Sequence, residues 1–440
     1  MLQTTIWGGA GEHGRSSYFI RTKHTRILLD CGVKKEASGV YPAIEEQEAP
    51  LLDAVFLSHA HEDHSMALPL LYKLGYQGTV WTTRATTGQL PSYFRAWAGY
   101  AAAQGAELPY GQEHIEAIRY EYLEDKAAPG EWLQLSPALR VCWGRSGHLI
   151  GSVWLLLEVD GGLVYFSGDY TRESRLLAAD WPLALPGGRE LAGRRIDLSI
   201  VDAAYGMEAE DQEVKLAQLE QAVADTLRQG GRLLLPVPTT GRSQELLVWL
   251  TEKFPAAELI VEQPIAAALA QLFLAPEWLL PGSGERIRHA LAHGRIRQVA
   301  TQEQREQALA EAKPCLILSG DGMLETGASR WYYSRLSGNP ANTVVLTGHL
   351  ASGSFGRRML EGEAAEPHCR VLFVRYKVHQ GIRDVQLMLE HLHSRHTLLV
   401  HAGQQATDKV AAELAPDFPG VYSLRTGDTL RVKPDLSRES

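Results

Sequence analysis

Ala54-Val55-Phe56-Leu57 runs straight into Ser58-His59-Ala60-His61-Glu62-Asp63-His64. The apolar run has the length and composition of a buried strand. In extended chain, residues i and i+2 point the same way, so His59 and His61 can grip one ion. A helix starting near Asp63 would swing Asp63 and His64 towards a second position a few ångströms away. Neutral imidazoles with a carboxylate suit Zn²⁺ best, with Mn²⁺ or Fe chemically admissible. The chain has 16 histidines; at that content H-x-H-x-D-H arises by chance on the order of once per thousand such chains. The stretch is read as a metal-binding loop.

Two ions need more ligands than this loop carries. Further donors are expected just after strands, where chain ends converge on one edge of a sheet. Three residues qualify: His148 in Ser146-Gly147-His148-Leu149-Ile150-Gly151, Asp169 in Tyr165-Phe166-Ser167-Gly168-Asp169, and His401 in Leu398-Leu399-Val400-His401-Ala402-Gly403. Neighbouring glycines allow close backbone approach. His391 and His393 repeat the H-x-H spacing but fall in a helical pattern, where i and i+2 differ by roughly 200° around the axis. With His396 they read as solvated helix residues. His289 and His293 share a helix face at i and i+4, yet Arg286, Arg288 and Arg295 beside them would repel a cation. His13, His24, His114 and His368 have no partner in sequence.

The first third of the chain consists of short β-runs broken by glycine: 18–20, 26–29, 54–57, 153–157 and 163–166, with helical patterns at 66–74 and 84–104. Leu198-Ser199-Ile200-Val201 closes this part. From about 207, strands near 232–237, 259–261, 315–318 and 343–346 alternate with longer helices, the rhythm of a parallel sheet covered by helices. Strands follow at 371–374 and 397–400, separated by a helix near 382–394. The polar tail after 430 is expected to fray. At 440 residues the chain exceeds the usual size of one core, so two lobes are expected.

The net charge of −9 excludes a protein that merely coats nucleic acid electrostatically, though not a metal-dependent nuclease, whose ions supply local positive charge. Cys31, Cys142, Cys315 and Cys369 are scattered with no C-x-x-C pair, so neither a thiolate zinc site nor a disulfide framework is indicated. No apolar run reaches the length of a membrane span, and a cytoplasmic protein with no membrane partner is the default.

With these residues in place the chain resembles the β-CASP nucleases of the metallo-β-lactamase superfamily over nearly its whole length. That group includes the cleavage subunit of the eukaryotic pre-mRNA 3′-processing complex and bacterial and archaeal RNA-degrading relatives. Ile27-Leu28-Leu29-Asp30-Cys31-Gly32 is similar to the family's first motif, in which the aspartate supports the metal loop. The 59–64 cluster, His148 and Asp169 resemble the second, third and fourth motifs. Val201-Asp202-Ala203-Ala204 resembles motif A, and His379 and His401 fall where motifs B and C do. Gly241-Arg242-Ser243-Gln244-Glu245-Leu246-Leu247 resembles the helix start of the inserted domain. Ser319-Gly320-Asp321-Gly322 and Leu346-Thr347-Gly348-His349 resemble its glycine loops. Motif A usually opens with Glu-Ser-Thr and motif B usually reads Ser-Ala-His. Here they are Asp202-Ala203-Ala204 and Lys377-Val378-His379.

The resemblance implies an α/β protein: an αββα metallo-β-lactamase sandwich interrupted by a β-CASP α/β domain, with the active site between the lobes. The divisions follow as 1–206 and 371–430 for the sandwich, 207–370 for the insert and 431–440 for a tail. Two Zn²⁺ (or Mn²⁺) are implied, one on His59, His61 and His148, the other on Asp63, His64 and His401, with Asp169 bridging. Asp63, Asp202 and His379 are the catalytic candidates, His379 donating a proton or holding phosphate while Asp202 orients it. Arg242, Gly348 and His349 are candidate substrate contacts. Trp331, Tyr332 and Tyr333 could stack bases, although such clusters more often form core. The expected partner is single-stranded RNA, because DNA-processing relatives usually lack the motif C histidine. DNA is the alternative substrate and a non-catalytic scaffold the third reading, and a homodimer is compatible with the family.

Overall fold

The computed structural model describes residues 1–434 except 192, 312–313, 326, 352 and 364–366. The described residues fall into two units. One comprises Met1–Arg172, Ala178–Ala209 and the chain from His379 onward; the other comprises Glu173–Leu177 and Glu210–Val378.

The first unit holds two seven-stranded sheets. One is built from β1 (Leu2–Gly8), β2 (Ser17–Arg21), β3 (Arg26–Leu29), β4 (Ala54–Phe56), β5 (Thr79–Thr82) and β6 (Arg119–Tyr122), in that order, with β20 (Thr429–Val432) outside β1. The other contains β7 (Trp132–Ser136), β8 (Leu139–Arg145), β9 (Val153–Val159), β10 (Gly162–Phe166), β11 (Leu198–Asp202), β18 (Thr397–Val400) and β19 (Val421–Ser423). The two-residue period of the strands sorts their side chains. Trp7, Phe19, Leu28 and Val55 face one way and pack with Leu68, Leu71, Leu90 and Trp97 of the helices Leu68–Lys73 and Arg84–Ala103. Trp154, Leu156, Tyr165, Val201 and Leu399 face the helices Ile382–Leu392 and Gln404–Leu414. The opposite faces meet each other, as in the Tyr18 and Phe166 rings 5.6 Å apart. The layers are therefore helix, sheet, sheet, helix.

Strand direction explains where chemistry can collect. β3 to β6 run parallel. In the second sheet β10, β11 and β18 run parallel, and β8 shares their direction because β9 opposes both. Loops bearing residues 30, 58–64, 146–151, 167–172 and 401 thus all leave carboxyl ends of strands.

The second unit carries one six-stranded parallel sheet. It is formed by β12 (Leu233–Pro236), β13 (Glu258–Glu262), β14 (Ile296–Val299), β15 (Cys315–Ser319), β16 (Thr343–Leu346) and β17 (Arg370–Phe373), in the order 14-13-15-12-16-17. No helix among the described residues is long and apolar enough to cross a membrane.

The expected divisions need correction in two places. The apolar run at 371–374 does not return to the sandwich: Arg370–Phe373 pairs with Thr343–Leu346, and the chain rejoins the first unit only at His379. An apolar run specifies burial but not which sheet it joins. Nor is the chain frayed from 431. Thr429–Val432 pairs antiparallel with β1, Val432 opposite Leu2, while 435–440 lie outside the described residues. Val432 is 1% exposed, so Val432→Asp buries an uncompensated charge. We expect a loss of about 3 kcal/mol or more, read as a lower urea midpoint for the first unit.

Candidate metal centre

Asp30 follows β3 at a positive φ of 57°, which turns its side chain under the next loop. It is fully buried. Oδ1 accepts from the Ser58 amide at 2.7 Å, and Oδ2 accepts from Ser58 Oγ and from His64 Nδ1, each at 2.7 Å. Ser58 Oγ, its proton given to Asp30, accepts from His59 Nδ1 at 3.0 Å. These bonds decide the tautomers. Both imidazoles are protonated on Nδ1, so each turns its Nε2 to the centre, the orientation a metal requires. His64 Nε2 is buried with no hydrogen-bond partner among the described residues. Gly32 is required beside this arrangement, since a Cβ there would lie 1.8 Å from the Asp63 carbonyl oxygen.

His61 caps the short helix Glu62–Ser65, the turn the sequence placed near Asp63. His59 Nε2 and His148 Nε2 each lie 3.1 Å from His61 Nδ1 and 3.4 Å from Asp169 Oδ2. Atoms bound about 2.0–2.1 Å from one tetrahedral zinc sit about 3.3 Å from each other, so these four atoms have the spacing of one coordination shell. Asp63, His64 and His401 form a second group. His401 Nε2 and His64 Nε2 stand 3.7 and 3.8 Å from Asp63 Oδ2. Asp169 faces both groups, its Oδ1 3.3 Å from His64 Nε2 and its Oδ2 3.6 Å from His401 Nε2. All seven ligand candidates therefore converge, with Asp169 between the two sets.

Next to them, His379 Nδ1 lies 3.0 Å from Asp202 Oδ2. Asp202 is buried and also accepts from the Tyr170 and Ala204 amides. His379 Nδ1 stands 3.8 Å from Asp169 Oδ2.

Burial, reinforced by neighbouring imidazoles, holds His59 and His61 well below the usual histidine range; neutral rings are what a cation needs. Burial also opposes charge on His64 and His379. At His64 the carboxylates of Asp169, Asp63 and Asp30 outweigh it, and at His379 those of Asp202 and Asp169 do, so both are raised. Desolvation resists ionisation of Asp169, but the surrounding histidines, His401 first, hold it well below the carboxylate range.

Comparisons with known proteins fit this geometry. Residues 10–137 match the model of the metallo-beta-lactamase superfamily, and residues 243–359 match that of the Beta-Casp domain. The chain is a β-CASP member of the metallo-β-lactamase superfamily. Among its relatives, transcription termination factor FttA of Methanothermobacter thermautotrophicus is 32% identical over 81% of this chain and 58% of its own. Cleavage and polyadenylation specificity factor 73 of Drosophila melanogaster is 27% identical over 95% of this chain and 62% of its own. An RNase J-like protein of Methanocaldococcus jannaschii is 27% identical, covering 86% of this chain and 85% of that protein. This chain thus spans about three fifths of the first two relatives. A crystal structure of a protein of unknown function from Enterococcus faecalis shares the fold, with a TM-score of 0.58 at 14% identity over 98% of this chain and all of that one.

Within this β-CASP chain the substrate-contact candidates lie in the second unit. Arg242 begins the helix Arg242–Lys253, and its guanidinium lies where a Cβ on Gly348 would be, 1.8 Å from Nη2. That glycine makes room for the arginine. His349 is exposed. Tyr332 and Tyr333 are buried, the Tyr332 hydroxyl donating to Glu262 Oε1 at 3.2 Å, which makes them core rather than a stacking platform. Two histidines read as solvated are not. His391 Nε2 accepts from the Leu183 amide at 3.1 Å under the Trp181 ring, and His396 Nδ1 lies 3.0 Å from the Tyr422 hydroxyl. Sequence reasoning missed Ser58, and also His13, whose ring approaches that of His401 at 6.0 Å. The glycine-bracketed Gly11-Glu12-His13-Gly14 after a strand was the available signal.

Asp30→Asn replaces an acceptor oxygen with a donor facing Ser58 or His64. Metal affinity should fall about 10–100-fold, measured by competition with a chromogenic chelator.

Proposed function

We propose that this chain is a zinc-dependent phosphodiesterase that cleaves single-stranded RNA. The observation that carries the reading is Asp169, set between two groups of metal-ligand donors with the His379–Asp202 pair alongside. His59, His61 and His148 would hold one ion, Asp63, His64 and His401 the other, and Asp169 both. The nitrogen-and-carboxylate donor set, with His59 and His61 held neutral, favours zinc, with Mn²⁺ as the alternative. Bound ions would supply Lewis acidity towards the phosphate and lower the pKa of water to near neutrality.

The chain's own groups do the rest. Asp202 binds His379 Nδ1–H and favours the protonated ring, so the proton on Nε2 is available to the departing ribose oxygen. Once that proton has left, the Asp202 bond keeps the neutral ring in register. The half-buried edge of the site at Asp63 and His61 is where a phosphate can approach.

RNA is favoured over DNA because His401 completes the second group, and because the relatives are named for transcription termination, cleavage and polyadenylation, and an RNase. The intact ligand set counts against a non-catalytic scaffold. Four free, buried cysteines support a reducing, cytoplasmic setting as part of the same reading.

The test compares 5′- and 3′-labelled single-stranded RNA and DNA of matched sequence, with wild type beside Asp63→Ala. We expect RNA to be cut by wild type alone, chelation to abolish cutting and Zn²⁺ or Mn²⁺ to restore it. Equal cutting by both proteins, or preference for DNA, overturns the assignment. His379→Ala should keep its metals, measured by elemental analysis, while kcat drops about 10²–10⁴-fold; wild-type turnover would remove His379 from the mechanism.

A further inference from the structure

Lys377 stands two residues before His379, where the family's motif usually has serine, and it is 2% exposed. A buried ammonium costs several kcal/mol unless it is paired and hydrogen-bonded. Here Nζ lies 2.9 Å from Glu173 Oε1. Glu173 stands four residues after Asp169, and its other oxygen accepts from the Gln212 amide at 2.6 Å. Gln212 closes the circuit, its Oε1 accepting from the Lys377 amide at 2.8 Å. A second carboxylate repeats the pattern one residue along. Glu245 Oε1 accepts from Ser174 Oγ, and Oε2 accepts from the Arg175 amide at 2.8 Å and from the Tyr376 hydroxyl. Burial pushes the Glu245 carboxyl up while these bonds pull it down.

Two short segments, 173–175 and 376–377, are thus fastened to one another by two independent carboxylates. The first continues back to Asp169 and the second forward to His379. We propose that Lys377 and Glu173 are positioning residues: their ion pair fixes the separation between the His379 ring and the Asp169 carboxylate. This rests on the phosphodiesterase reading. The proton donor must reach the leaving oxygen of a phosphate held by cations that Asp169 would ligate, and a displacement of about 1 Å can cost about a hundredfold in rate. The ammonium serves here because its four-carbon stem spans the interval to Glu173, which serine could not.

The test uses the full chain carrying Lys377→Met, Lys377→Arg, Glu173→Gln and the double variant Lys377→Met/Glu173→Met. Lys377→Met and Glu173→Gln should retain metal content and keep KM for RNA within about twofold, while kcat falls about tenfold or more. Lys377→Arg should recover most of that loss. Removing one side chain lowers Tm by breaking a buried ion pair, and removing both recovers Tm without restoring kcat. If kcat returns together with Tm in the double variant, or never falls in Lys377→Met, the pair is merely structural and the proposal is overturned. A readout independent of turnover is the downfield Nδ1–H resonance of His379 bonded to Asp202, followed by NMR in metal-free protein. It should be present in wild type and lost or shifted in Lys377→Met. An unchanged resonance overturns the proposal even if the wild type proves to cut no nucleic acid, an outcome that would defeat only the phosphodiesterase reading.

Discussion

A buried carboxylate needs donors around it, and at Asp30 two groups of Ser58 and one of His64 oppose a burial that still pushes its carboxyl up. Those donors are not incidental. One is the backbone of the loop that carries His59 and His61, one is the hydroxyl that sets the His59 tautomer, and one is a ligand candidate itself. Satisfying Asp30 therefore positions the loop, orients two rings and leaves their lone pairs facing inward. The positive φ at Asp30 and the tight approach at Gly32 are the backbone features that make room for this. Removing the Asp30 charge would release several groups at once, since they form one connected network.

Around that anchor the fold brings strand ends together. Parallel neighbours in the second sheet deliver Asp169, Asp202 and His401 to one edge, and β8 adds His148 because it runs in the same direction. The resulting density of imidazoles explains the opposed shifts in the site. At His59 and His61 burial and other rings prevail, whereas His64 and His379 each have a carboxylate bonded at Nδ1. Chemically similar side chains thus acquire different proton affinities from their neighbours alone.

The 58–64 loop was legible in sequence because both of its determinants, alternation along a strand and the turn of a helix, are local. His148, Asp169 and His401 were legible for a related reason: each follows an apolar run and has glycine nearby. What sequence hid was pairing. Val371-Leu372-Phe373 is apolar in either sheet, and only its register against Thr343–Leu346 assigns it. Arg119–Tyr122 and Thr429–Val432 are edge strands with polar faces, so neither carries a strong strand pattern. His391 looked solvated because the Trp181 ring that covers it is some two hundred residues away in sequence. Lys377 read as a departure from a motif, and its burial depends on Glu173, equally distant.

The connectivity of the second sheet has a consequence for synthesis. His401 follows β18, more than three hundred residues after the histidines of the first loop. At about 5–20 residues per second, the nascent chain spends tens of seconds with its early histidines translated and the last one still unmade. A cation caught in that interval would meet an open, incomplete cage, and exchange would stay easy until β18 docked. Translation order would thus delay full enclosure of a bound cation until His401 has been made.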